Sequence, residues 1–144
     1  MRLGSDYLSV ADVTTAVPLL PLVTGWVYLH GLSLSSTQWK EMGDNFGGET
    51  GVFELHRVTV PRRSGGVVAS LCGKVKRAEL YNVVFDGGFG EFGGDLREEV
   101  GRCEELEFIG STASKYRGEI VKLGERMGWR VERDDGNAIV IKKV

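Results

Sequence analysis

Apolar residues recur at helical spacing in two segments, which are predicted to be helices over 35–46 and 112–127. Ser35 and Gln38 form a capping-box pattern at the start of the first helix, since each side chain can satisfy a backbone N–H of the first turn. Gly128 suits the left-handed cap that ends the second helix. The apolar stripes consist of Trp39, Met42 and Phe46 in the first helix and Tyr116, Ile120, Leu123 and Met127 in the second.

Short apolar runs rich in valine and aromatic residues fill the middle of the chain. The runs over 52–60, 66–75 and 78–85 are separated by turn-like segments, of which Pro61–Gly66 is the clearest. We interpret these runs as an antiparallel meander. A further strand is predicted over 25–34, and because both of its faces are fairly apolar it is expected in the sheet interior.

The segment after the meander is rich in glycine. Residues 86–94 are predicted to be a loop, followed by a helix over 95–105 and a short apolar link over 106–109. The loop could cradle a phosphate on backbone N–H groups, but it lacks the lysine and hydroxyl residue of a P-loop. Phe89 and Phe92 are unusual in a mobile loop, because exposed aromatic rings are unfavourable without a partner. They mark a candidate interaction loop and predict a homo-oligomer.

The whole pattern predicts one α+β domain over residues 1–144. We expect a mostly antiparallel sheet of three to five strands with about three helices packed on it, ending in a C-terminal helix and a β-hairpin over 129–143. A chain of 144 residues with 42% hydrophobic residues can form a core without a disulfide or a metal. No internal repeat is recognised. Residues 8–23 stay ambiguous, because Pro18 and Pro21 must end or kink any helix there.

Composition predicts the compartment. The apolar stretch over 17–34 is interrupted by Pro18 and Pro21, so no membrane span is expected, and no signal peptide is evident. Cys72 and Cys103 lack metal-ligand spacing and are expected to be reduced thiols. We therefore expect a cytoplasmic protein without membrane association. The scarcity of asparagine and glutamine favours a thermophile source.

The charged residues are unevenly distributed, although the net charge is only −2. Between residues 56 and 78 every ionised side chain is basic, whereas residues 86–107 are mainly acidic. In a meander, a basic strip could follow a phosphate backbone, with nearby aromatic rings stacking on unpaired bases. The alternative is a solvated sheet edge that lysine and arginine protect from aggregation. The basic residues are Arg57, Arg62, Arg63, Lys74, Lys76 and Arg77.

The C-terminal part gives a second indication of nucleic-acid binding. A helix, a turn, a second helix and a hairpin follow one another, which is the order of a winged-helix DNA-binding domain. Lys115, Arg117 and Lys122 would supply the basic outer face of the second helix. A helix that packs on a sheet and precedes a terminal hairpin has the same order, so this alternative stays open.

No catalytic residue, metal site or cofactor is predicted. His30 and His56 lie inside strand patterns, and no cysteine or carboxylate is recognised at ligand spacing from them. We therefore expect a small non-enzymatic nucleic-acid-binding protein that favours single strands. The alternative is a homo-oligomeric protein-interaction or scaffold module with no nucleic-acid role. An enzyme of unrecognised type is the third class.

Overall fold

A computed structural model describes residues 2–4, 26–46, 51–98 and 101–144. The ambiguous segment over 8–23 lies outside these residues. These residues form four helices and nine strands. The helices are α1 (Ser36–Asn45), α2 (Gly65–Gly73), α3 (Phe89–Glu98) and α4 (Ser111–Met127). The strands are β1 (Arg2–Gly4), β2 (Trp26–His30), β3 (Val52–His56), β4 (Thr59–Val60), β5 (Arg77–Tyr81), β6 (Val84–Phe85), β7 (Glu105–Ile109), β8 (Arg130–Asp134) and β9 (Ala138–Lys142).

The main sheet has seven strands in the order β1-β2-β3-β5-β7-β9-β8. Neighbouring strands from β1 to β7 pair in parallel, and only the β7–β9 and β9–β8 pairs are antiparallel. Strands β4 and β6 form a separate two-stranded parallel sheet. The combination of helices and strands is confirmed. The mostly antiparallel sheet, its three to five strands and the count of about three helices are wrong, because the main sheet has seven strands, most of them paired in parallel, and four helices are described.

The parallel strands belong to a structural repeat. Strands β2, β3, β5 and β7 begin at residues 26, 52, 77 and 105, and each joins the sheet beside its predecessor. The prediction of no internal repeat is therefore wrong: the described part is a stack of units in which each packs on its neighbours, as in solenoid proteins. Equivalent buried positions are Val27, Leu29, Leu32 and Leu34; Phe53, Leu55, Val58 and Val60; and Ala78, Leu80, Val83 and Phe85.

The turn after each parallel strand repeats the same backbone geometry. The residue that follows the strand has a positive φ and donates its N–H to a carbonyl at the end of the neighbouring strand or, for the last turn, in the terminal hairpin. These residues are Gly31, Arg57, Asn82 and Gly110, with φ of 63°, 55°, 51° and 67°. Their acceptors are His56 at 2.9 Å, Tyr81 at 2.8 Å, Ile109 at 3.2 Å and Asn137 at 2.7 Å. Arginine and asparagine thus occupy a conformation that favours glycine.

The predicted middle strand of the meander, over 66–75, is helix α2. Its side chains are buried on most sides, so its sequence shows no helical period, and periodicity alone cannot distinguish such a helix from a buried strand. Parallel neighbours such as β3 and β5 also need a crossover connection, which a tight turn cannot provide. Helix α2 is that connection, and the meander is wrong.

The glycine-rich loop over 86–94 is largely helix α3. Phe89 and Phe92 are 3% and 0% exposed and pack into the core of their own domain. Together with Leu96 they occupy one helical face, which outweighs the poor helix propensity of the glycines. This burial removes the reason for predicting self-association through an aromatic loop. The helix predicted over 95–105 begins earlier, at Phe89.

The C-terminal predictions are confirmed in part. Helix α4 and the hairpin of β8 and β9 form as expected, and both cysteines are buried free thiols. The apolar link over 106–109 is instead part of strand β7, which lies between α3 and α4. The helix–turn–helix–wing order is therefore wrong, because a central strand of the sheet separates the two helices.

Candidate functional site

The side of the main sheet that turns away from the core carries three rows of side chains in register. We call these residues the outward face. Apart from Ala138, which is buried, they lie outside the hydrophobic core, whereas the residues that alternate with them belong to it. The first row is Trp26, Val52, Arg77, Glu105 and Lys142; the second is Tyr28, Glu54, Glu79, Glu107 and Val140; the third is His30, His56, Tyr81, Ile109 and Ala138.

The second row places three glutamates directly opposite one another. Glu54 pairs with Glu79, and Glu79 pairs with Glu107, on three neighbouring parallel strands. Like charges in opposed positions of a sheet are destabilising, so this row works against folding when all three glutamates are ionised. Two groups of the first row partly compensate: the indole N–H of Trp26 donates to Glu54, and Arg77 Nη1 lies 3.6 Å from Glu107 Oε1.

His56 lies beside this glutamate row. Its Nε2 is 3.1 Å from Oε2 of Glu79 and 3.7 Å from Oε1 of Glu54. The imidazole also contacts the rings of Tyr28 and Tyr81, with centroid distances of 4.7 and 5.2 Å. Among the residues that the structure describes, Glu54, His56 and Glu79 are the one group whose ligand atoms lie close enough together to hold a metal ion.

The environment moves the pKa values of the three glutamates apart. Burial raises the pKa of Glu79 to about 8, and its hydrogen bond with Glu54 and the negative charges of Glu54 and Glu107 act in the same direction. Burial also acts to raise the pKa of Glu54, but hydrogen bonds with Glu79 and Trp26 and the charge of His56 lower it overall. At neutral pH, Glu79 therefore holds a proton and donates it to ionised Glu54.

The third glutamate is shifted less. Burial raises the pKa of Glu107, the positive charge of Arg77 opposes this, and the charge of Glu105 adds to it. Burial and Arg77 act on both outer members of the row, whereas the hydrogen bond with Trp26 and the charge of His56 act on Glu54. The central member, Glu79, lies between two carboxylates and carries the largest shift of the row.

The raised pKa of Glu79 predicts a pH-dependent stability. The folded state keeps the proton up to about pH 8, whereas the unfolded chain releases it near 4.5, so this contribution is complete below about pH 4.5 and is lost as the pH rises through 8. In urea denaturation with a chelator present, the unfolding free energy should fall between about pH 5 and pH 8, and Glu79→Gln should flatten this slope. Glu125→Gln, on the exposed side of α4, should leave the slope unchanged. Identical slopes for the wild type and Glu79→Gln would contradict the assignment.

The basic residues predicted to form one strip lie on either side of helix α2, some before it and some after it. Arg57, Arg62 and Arg63 are exposed between the end of β3 and the start of α2. Lys74 and Lys76 lie between α2 and β5, and Lys74 donates to the Gly43 carbonyl at 2.9 Å. A strip along one strand does not form, because helix α2 replaces that strand.

The remaining predicted basic residues lie on other surfaces. Arg77 is on the outward face, where it pairs with Glu107. Lys115, Arg117 and Lys122 are exposed on helix α4. Arg117 forms an ion pair with Asp134 of the hairpin, and Lys115 Nζ lies 5.5 Å from the centroid of the Tyr116 ring. These residues are therefore not assembled into one surface with Arg62 and Arg63.

A groove of about 490 Å³ lies between α3 and α4, away from the outward face. Its rim carries charges of both signs, and no group of potential metal ligands among the described residues lies in it. Its lining includes Phe89, Gly93, Asp95, Glu119, Lys122, Leu123 and Arg126. The groove is large enough for a ligand, but its charged side chains do not form a cluster like the one on the outward face. The outward face is therefore the stronger candidate site.

The carboxylate partners of His56 could be predicted from the sequence only in part. The sequence signal was the pair Glu54 and His56, because residues two positions apart in a strand lie on the same face. Glu79 and Glu107 could not be added without knowing the parallel register of β3, β5 and β7.

No family model matches the chain, and neither a curated protein nor a solved structure is significantly similar to it. In the part of the chain that the structure describes, no helix combines the length and the apolar character needed to cross a membrane.

Proposed function

We propose that this chain is a non-enzymatic protein-interaction module that binds a basic segment of a partner protein across the outward face. The observation that carries this proposal is the row of Glu54, Glu79 and Glu107 on three neighbouring parallel strands. Ionising all three glutamates is unfavourable while this surface is unoccupied, as the raised pKa of Glu79 indicates, and a cationic segment lying along the row would stabilise the ionised carboxylates.

The architecture and the neighbouring residues support this proposal. Stacked repeats provide extended surfaces on which partner proteins bind. Trp26 and Tyr28 stack with a centroid distance of 5.4 Å beside the glutamate row, and Trp26 is 38% exposed. Tryptophan and tyrosine are common among residues that dominate binding energy, so this aromatic pair is a suitable contact for the aliphatic part of a lysine or arginine.

Nucleic-acid binding has less support on this surface. The glutamate row would repel a phosphate backbone, and Arg77, a predicted phosphate ligand, already pairs with Glu107. Binding through the exposed Arg62 and Arg63 stays a prediction. A cytoplasmic location, a thermophile source and self-association likewise stay predictions.

Selection of peptides from a random library on the purified chain tests the proposed function. We expect enrichment of lysine and arginine, and binding of a selected peptide should be about three- to tenfold weaker for Glu107→Gln, because one attractive charge is lost and Arg77 loses its counter-charge. Glu125→Gln removes the same charge from the exposed side of α4 and should have no effect.

Two results would overturn this proposal. One is the selection of acidic peptides, or of none. The other is peptide affinity that is unchanged by Glu107→Gln. A single-stranded oligonucleotide serves as the second arm of the experiment. Oligonucleotide binding that Arg62→Ala and Arg63→Ala abolish, together with failure of the peptide arm, would assign the chain to nucleic acid instead.

A further inference from the structure

One imidazole and two carboxylates converge between strands β3 and β5. His56 Nε2 lies 3.1 Å from Glu79 Oε2 and 3.7 Å from Glu54 Oε1, and one ligand atom from each of the three residues lies within 4.8 Å of the others. Ligands about 2.0–2.2 Å from a tetrahedral zinc ion are roughly 3.3–3.6 Å apart. The two separations from His56 Nε2 bracket this value, and the two carboxylate oxygens lie within 4.8 Å of each other, so side-chain rotations can bring all three atoms to one ion.

We propose that Glu54, His56 and Glu79 bind a single divalent transition-metal ion, with zinc best suited to the donor set. An imidazole nitrogen with carboxylate oxygens is a set that zinc accepts, whereas magnesium and calcium favour oxygen ligands alone. Three protein ligands leave a fourth position for water or for a group from a partner. The site uses residues of this chain only, so the inference does not rest on the proposed basic partner.

The surroundings hold the three ligands in place. The indole N–H of Trp26 donates to Oε2 of Glu54, which leaves Oε1 directed toward His56. The imidazole is positioned by the rings of Tyr28 and Tyr81. Outer groups that orient metal ligands in this way affect metal affinity strongly. Glu54 and Glu79 have side chains only 16% exposed, so water competes weakly for them.

The charge balance also favours a cation. Arg77 acts on both Glu54 and Glu79 and opposes metal binding. Its guanidinium, however, lies 3.6 Å from the carboxylate of Glu107, which offsets the arginine charge. Glu105, which precedes Glu107 on the same side of β7, adds a further negative charge to the surface. The local charge therefore favours a divalent ion, which would displace the proton of Glu79 on binding.

Calorimetric titration of the chelator-treated full chain with zinc chloride tests this site. We expect one ion per chain, no binding of magnesium, and an affinity at least about tenfold lower for His56→Ala. His30→Ala is the matched control, because His30 occupies the same row on the adjacent strand. Glu79→Gln, a nearly isosteric change, should weaken binding to a similar extent, and circular dichroism verifies that each variant is folded.

Zinc affinity that is unchanged in both His56→Ala and Glu79→Gln would overturn the site, as would the absence of one-to-one binding to the wild type. An equal loss in His30→Ala would overturn the ligand set as proposed, because the ion would then depend on a residue outside it. No peptide is present in the titration. Failure of the metal site is thus distinguishable from failure of the proposed protein-interaction function.

Discussion

Replacing Phe92 by alanine is expected to lower the free energy of unfolding by about 3 to 5 kcal/mol. Phe92 is fully buried, and its ring lies 5.1 Å from that of Phe85, 5.4 Å from that of Phe89 and 6.3 Å from that of Phe108, measured between centroids. The loss combines the transfer of the removed ring with the cavity that remains, because neighbouring side chains from other elements cannot fully collapse into it. Urea denaturation measures the effect.

The matched variant is Phe92→Leu, which keeps the site apolar and most of its volume filled. It should lower the free energy of unfolding clearly less than alanine does, because apolar substitutions that conserve most of the side-chain volume are tolerated best. An alanine variant as stable as the wild type would show that the ring is solvent-exposed, and the glycine-rich segment would then be a loop as the sequence suggested. The comparison thus decides between the two descriptions of this segment.

Elements that are specified by residues close together in the chain could be predicted from the sequence. At the start of α1, Ser35 Oγ accepts from the Gln38 N–H at 3.2 Å, and Gln38 Oε1 accepts from the Ser35 N–H at 2.9 Å. Gly128 ends α4 with a φ of 70°. Both features depend on residues that are close together in the chain, so the residue types alone specify them.

The repeat was not recognised, because its equivalent positions share burial rather than identity. Leu32, Val58 and Val83 occupy the same place in successive units, and all three are buried. The positive-φ turn is likewise occupied by different residues, for example Gly31 and Arg57. Any apolar side chain of suitable volume can fill such a position, so the sequence retains only a weak period.

The candidate site could not be predicted from local sequence patterns alone. Glu54 and His56 share a strand, and their common face follows from the two-residue period of a strand. Glu79 joins them only because β3 and β5 are parallel and pair Glu54 with Glu79. An antiparallel assignment of the same segments places other residues opposite Glu54, so the cluster could not be predicted without the correct topology.

Gly65→Ala is expected to lower the free energy of unfolding by about 1 to 3 kcal/mol, again measured by urea denaturation. Gly65 begins α2 at its contact with α3, where an added β-carbon would lie 2.7 Å from Glu91 Cβ and 3.0 Å from the backbone nitrogen of Phe92. Backbone atoms cannot move aside as a flexible side chain can, so the two helices must separate. This separation outweighs the advantage of about 1 kcal/mol that alanine has over glycine within a helix.

Gly94→Ala is the matched variant, because it makes the same substitution at a position where the added β-carbon meets no neighbouring helix. Gly94 lies in α3 on the exposed side, and a β-carbon there would meet no atom within 4 Å. Alanine should therefore raise the free energy of unfolding by about 0.5 to 1 kcal/mol, because it restricts the unfolded chain and favours the helix. Opposite signs for the two variants are the expected result. A stabilising Gly65→Ala would mean that α2 and α3 do not pack at Gly65, and the same contact holds Phe92 in the core.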